Sequence, residues 1–129
     1  MRLVFTLSLA SLCACGDPPF QQIQTDVFTV SCSQKSCHGE AGAGGLVLDA
    51  NAFDNLVNAD ANDEQAAAEG WKRVVPNDVS KSFLMLKLTP PVDAKYGVLM
   101  PKGRTDAEPL EAEKRELIQS WIESGAPKD

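Results

Sequence analysis

Apolar positions divide this chain into one leading run, residues 3–12, interrupted only by Thr6, Ser8 and Ser11, and a series of short periodic groups after it. Phe20, Ile23, Val27 and Val30 recur at i, i+3, i+7 and i+10, which predicts one helix burying that stripe, although β-branched residues weaken its propensity. Leu46-Val47-Leu48 reads as a short extended stretch after the glycine-rich residues 39–45. Asp49 is placed to cap a short helix with Phe53, Leu56 and Val57 on one face. Residues 58–70 are acidic and Ala-rich, a surface loop or a solvated helical turn. Pro76 breaks any helix through Val74-Val75. Ser80 is placed to cap a helix with Phe83, Leu84, Leu86 and Lys87, closed by Thr89-Pro90-Pro91. The clearest element comes last, with Leu110, Leu117, Ile118, Trp121 and Ile122 on one helical stripe. Pro109 suits its first turn, Glu111 and Arg115 can pair at i, i+4, and Gly125 with Pro127 ends it.

The pattern predicts an all-α domain of about four short helices joined by long irregular connections. Long connections in so small a domain normally argue against such an assignment. They make sense if the segments wrap something that is not protein. Composition points the same way. The chain has 129 residues, 43% hydrophobic but only 6% aromatic, so it is globular with a thin core. A covalent staple or a large apolar cofactor would relieve that shortage.

The leading run is shorter than the roughly 20 residues that span a bilayer, and suits the core of a signal peptide. It follows Met1-Arg2 and ends in Leu12-Cys13-Ala14-Cys15, before the polar Gly16-Asp17-Pro18-Pro19. A small residue directly before a Cys resembles the bacterial lipobox. That resemblance implies a lipoprotein signal peptide over residues 1–14, lipidation at Cys15, a short tether over 15–19 and a folded domain over 20–127. An ordinary signal peptide with two incidental cysteines is the plain alternative. On the lipoprotein reading the domain is extracytoplasmic, facing the periplasm or cell exterior, and held to the membrane by its lipid anchor only. The net charge is −6, and loss of Arg2 with the leader makes it −7. Nucleic acid and anionic membrane surfaces are therefore poor partners.

Cys32-Ser33-Gln34-Lys35-Ser36-Cys37-His38 carries the candidate chemistry. In the common haem-attachment pattern C-x-x-C-H, two thiols add to haem vinyl groups and the adjacent His coordinates iron. Here four residues separate the thiols. By itself the spacing fits a Cys32–Cys37 disulfide in an exported binding or structural protein better. A zinc site on Cys32, Cys37 and His38 would lack a fourth ligand of the usual type once Cys13 is removed and Cys15 acylated. Context favours haem: His38 is the sole histidine, a helix precedes the motif, and Met100-Pro101 lies in the loop before the last helix.

Further residues extend the pattern: His38-Gly39, Gly45-Leu46-Val47-Leu48, Arg73-Val74-Val75-Pro76-Asn77-Asp78, and Ile118-Gln119-Ser120-Trp121-Ile122-Glu123-Ser124-Gly125-Ala126-Pro127. Together with the cysteine motif and Met100-Pro101, they resemble small monohaem c-type cytochrome domains of planctomycete and myxobacterial envelope proteins. Asn77 stands where Gly is usual there, and Glu111 where a capping Ser or Asp is usual. The resemblance implies a cytochrome c-like fold around one covalent haem c, with Cys32 and Cys37 as thioether links. It makes His38 the proximal iron ligand and Met100 the distal one. Met85 is a rival but falls in a helix where core packing is expected, and Lys95 and Lys102 are weaker candidates. Arg73 and Trp71 are candidate contacts to the haem propionates, against a plain reading as a solvated Arg and a packed Trp. The implied function is electron transfer with redox partner proteins of the envelope, not catalysis, because two protein ligands leave the iron no open position.

Overall fold

The computed structural model describes residues 16–129, so the expected leader and the lipidation site Cys15 lie outside the described residues. Within them the chain is helical with no strand, in keeping with the all-α expectation. Three consecutive pieces, Phe20–Ile23, the π-helical turn Gln24–Phe28 and Thr29–Ser31, run on as one helix, α1, because the residues at both junctions keep right-handed helical angles. The other helices are α2 (Ala52–Leu56), α3 (Glu64–Ala68), α4 (Phe83–Leu88) and α5 (Ala112–Glu123). None of the described helices is long and apolar enough to cross a membrane.

The main core lies between the two ends of the domain. Trp121 of α5 is fully buried, its ring 5.3 Å from Phe20 of α1 and 6.4 Å from Phe53 of α2. Its indole N–H donates to the Pro127 carbonyl at 2.8 Å, so the one polar atom of the ring is satisfied. The chain can turn back for that bond because Gly125 takes φ +100°, the left-handed stop expected of it. Removing the indole should cost about 3–5 kcal/mol by cavity formation. A second, smaller cluster gathers Ala66, Phe83 and Tyr96 with Trp71 and Leu86. Isolated bridges, among them Val57 to Val74 and Lys72 to Ser82, stitch the irregular segments between the clusters.

Several local expectations change. Val30 belongs to the stripe predicted to be buried but is 58% exposed, while Phe28 is buried. The cause is the π turn, which adds a residue to one turn and rotates the remainder of the helix by about 100°. The buried face then passes through Val27 and Phe28 to Cys32, which packs against the core. Ser80 does not cap α4. It belongs to a 3₁₀ turn, Val79–Lys81, whose cap is Asp78, accepting from the Lys81 amide at 3.1 Å and the Ser80 hydroxyl at 2.6 Å. α4 starts after the fully buried Ser82, whose hydroxyl donates to the Asp78 carbonyl at 2.8 Å. Asp49 closes a turn onto the Asn51 amide instead of capping α2. α5 begins at Ala112 rather than at Pro109, and Glu111 pairs with Arg104 and Lys114 while Arg115 donates to the Leu110 carbonyl. The acidic stretch supplies α3, capped by Asp63 on the Ala66 amide at 2.9 Å. Asn77 takes φ +64°, a left-handed conformation that Asn tolerates and that suits a position where Gly is usual.

Candidate functional site

After α1 the chain folds the cysteine motif into a tight loop held by its own backbone. The His38 amide donates to the Cys32 carbonyl at 3.1 Å, the Gly39 amide to Gln34 at 3.1 Å and the Ala43 amide to Cys37 at 2.8 Å. Gly39 is required there, since a Cβ would collide with the Ser33 carbonyl oxygen and stand 2.9 Å from that of Gln34. The returning segment is tied on by the Leu48 amide, which donates to the His38 carbonyl at 2.6 Å, and by the Ser33 hydroxyl, which donates to the Leu48 carbonyl.

The loop forms one wall of a cavity of about 230 Å³, partly open to solvent. Apolar side chains dominate it: Leu46 and Leu48 beyond the motif, Leu56 of α2, and Phe83, Leu84 and Leu88 of α4. Cys32, His38 and Met100 line this same space. The ring of His38 is oriented by a 3.1 Å contact between Nδ1 and the Leu46 carbonyl. A carbonyl only accepts, so Nδ1 is the donor, and in the neutral imidazole Nε2 keeps its lone pair for a ligand. An oriented imidazole of this kind is what metal-binding histidines show. The segment bearing Met100 is fixed by its amide, which donates to the Lys87 carbonyl at 2.8 Å.

Two cations share the cavity wall. Arg73 donates through Nη1 to the Asn55 carbonyl at 2.8 Å and through Nη2 to the Gly45 carbonyl at 3.1 Å. Lys87 donates to the Tyr96 carbonyl at 2.6 Å. Partial burial holds both groups below their ordinary pKa, with Asp60 and Asp63 respectively opposing the shift. Burial acts in the opposite sense on the Cys32 thiol and pushes it up to about 11, so it is protonated at neutral pH.

The expected site residues are therefore brought together in part. Cys32, His38, Arg73 and Met100 converge on the cavity. Cys37 is half-buried at the loop end, its sulfur 3.9 Å from the Ser36 hydroxyl, and is not on the cavity wall. The two thiols are not joined. Trp71 stands apart in the second cluster, its indole N–H donating to Glu69 at 3.1 Å. Met85 is buried in the main core, and Lys95 is paired with Glu69 at 3.0 Å. Lys87 and Tyr96 on the wall are additions to the expected set. For Lys87 the signal is present in the sequence, because helical spacing sets it on one face with Leu84 and Leu88. Among the described residues no three His, Cys, Asp or Glu side chains gather as a metal cluster. What is assembled suits a flat apolar group that carries iron and acidic substituents: an apolar body, an imidazole Nε2, a thioether, one thiol and two cations. No protein-family model, curated protein or solved structure matches this chain.

Proposed function

We propose that this protein is an extracytoplasmic electron carrier that holds one covalent haem c, with His38 and Met100 as axial ligands and a lipid anchor at Cys15. The observation that carries this reading is that His38 and Met100, supplied by loops far apart in the sequence, line one apolar cavity together with Cys32. When bound, the haem would supply a one-electron iron couple, whose potential His/Met ligation raises. The chain's own part is to present Nε2 of an oriented His38, to offer the Met100 sulfur, to exclude water with Leu46, Leu48, Phe83 and Leu88, and to meet acidic substituents with Arg73 and Lys87. Cys32 on the wall and Cys37 at the loop end would hold the haem covalently, each thiol S–H adding across a vinyl C=C to give one C–S and one C–H bond. Redox partners would be other envelope proteins that meet it through small, transient interfaces.

The test is to express the full precursor in a host with haem-attachment machinery. The expected product keeps its haem stain on a denaturing gel and shows a c-type reduced-minus-oxidised spectrum. Met100→Ala should retain the stain, lose the thioether-ligand signature and lower the reduction potential. A well-folded product without covalent haem, its Cys32 and Cys37 oxidised to a disulfide, would establish the binding or structural alternative instead. An unchanged spectrum in Met100→Ala would reject Met100 as the ligand.

A further inference from the structure

Glu69, just after α3, collects four donors on one carboxylate. The Lys95 ammonium donates to Oε1 at 3.0 Å, the Gln65 amide to Oε1 at 2.7 Å, the Trp71 indole to Oε2 at 3.1 Å, and the Tyr96 hydroxyl to Oε2. Two of these donors, Lys95 and Tyr96, lie on the 3₁₀ turn Ala94–Tyr96, more than twenty residues downstream. That turn sits between α4 and Met100. The other ties of this segment run to α4: the Lys87 ammonium donates to the Tyr96 carbonyl at 2.6 Å, and the Lys87 carbonyl accepts from the Met100 amide at 2.8 Å. The Tyr96 ring stands edge-on to Phe83 at 5.5 Å and to Trp71 at 6.0 Å, and Lys95 lies 4.6 Å over it. The segment carrying Met100 is otherwise irregular, held besides these hydrogen bonds by the burial of Tyr96 and Leu99.

We propose that Glu69 is a positioning residue that latches residues 89–100 to the body through Tyr96 and Lys95, and thereby holds the Met100 sulfur in the cavity. The physical reason is that charge-assisted hydrogen bonds to an ionised carboxylate are about twice as strong as neutral ones. Three of the four donors come from outside α3, so the carboxylate cross-links the segment instead of decorating its own helix. The latch itself stands on hydrogen bonds within the chain. Its consequence for ligation rests on the haem reading.

Two measurements on the full chain separate these. In hydrogen exchange followed by mass spectrometry, Glu69→Ala and Tyr96→Phe should speed exchange over residues 94–100 by about tenfold while α5 keeps its protection. Gln65→Ala, which removes the donor within α3, should leave that segment unchanged. In the haem-loaded chain, Glu69→Gln should raise the affinity of added imidazole for the iron by about tenfold, because the competing Met100 sulfur is less firmly held. Segment exchange equal to that of the unsubstituted chain in both Glu69→Ala and Tyr96→Phe would overturn the latch, whatever the haem result. Faster exchange with unchanged imidazole affinity in a chain shown by Met100→Ala to be Met-ligated would overturn the positioning role. Failure of the haem reading shows separately, as absence of covalent haem with the exchange result intact.

Discussion

At the scale of single residues, the site is governed by how burial and one partner set the state of each donor. His38 lines the cavity with its ring oriented by the contact of Nδ1 with the Leu46 carbonyl, which in the neutral imidazole leaves the Nε2 lone pair free. Cys32 is kept as a thiol because burial raises its pKa from 9.0 to about 11, an effect that nearby Lys114 only partly offsets. Since thiolate is the reactive form, two pKa units slow alkylation by about a hundredfold at neutral pH. In a haem-free Cys37→Ser chain, iodoacetamide should therefore label Cys32 slowly in buffer and at the rate of an ordinary thiol in urea. Equal rates in the two conditions would show that the sulfur is not shielded. These residue roles are legible in the sequence to different depths. His38 and Met100 stand out in the sequence because their chemistry is rare in this chain, and both line one cavity. Tyr96 cannot, since its defining contact is a hydrogen bond to Glu69, far upstream, that no local pattern encodes.

At the scale of elements, the sequence pattern is sound where an element is continuous and regular, and fails where one residue changes its phase. α5 shows the first case: Ile118, Trp121 and Ile122 are all fully buried as their spacing predicts. α1 shows the second. Its apolar stripe reads as an unbroken α-helix, yet the π turn Gln24–Phe28 moves Val30 outward and carries Cys32 to the cavity wall. The phase shift is thus what connects the first helix to the site. Deleting the exposed Thr25 should restore plain α-helical spacing, rotating Cys32 about 100° away from the wall. In the Cys37→Ser background the deletion should bring Cys32 alkylation in buffer close to its rate in urea, with α5 still protected from exchange. A folded deletion chain whose Cys32 stays slow would show that the π turn does not set its position. The helix starts fail for a related reason. Ser80 and Asp49 are good caps by composition, but Asp78 reaches the Lys81 amide and Ser82 precedes α4, while Asp49 accepts from the Asn51 amide and α2 starts without a side-chain cap.

At the scale of the whole molecule, long irregular connections are stabilised by a few polar nodes and by a cavity that many segments share. Glu69 is the most connected of those nodes. Its carboxyl is held down at about 2, chiefly by the Tyr96 hydroxyl and then by Lys95, against an ordinary 4.5. A folded-state pKa below the unfolded one means that its contribution is fully present above about pH 4.5. It is lost as pH falls towards 2, where the folded carboxylate also takes up its proton. Acid titration followed by exchange over residues 94–100 should show loosening in that window, and Glu69→Gln should remove the pH step. The cavity makes a larger demand. Its wall takes His38 and Leu46 from the motif region, Leu56 from α2, Phe83 and Leu88 from α4, and Met100 beyond it, so segments that pack together in the core also border one shared space. A thin core bordered by a partly open cavity of about 230 Å³ forgoes dispersion contacts that a packed interior would make. A haem linked through Cys32 would restore those contacts and cross-link the wall, and being covalent it would do so independently of free haem concentration. The chain matured with haem should therefore melt well above the same chain produced without attachment machinery, by ten degrees or more on the scale of about 4–8 °C per kcal/mol for a domain of this size. The difference should shrink in His38→Ala, which leaves the cavity apolar but removes an axial tie. Coincident melting of the two forms would mean that the wall closes on itself without haem, and that the long connections wrap nothing.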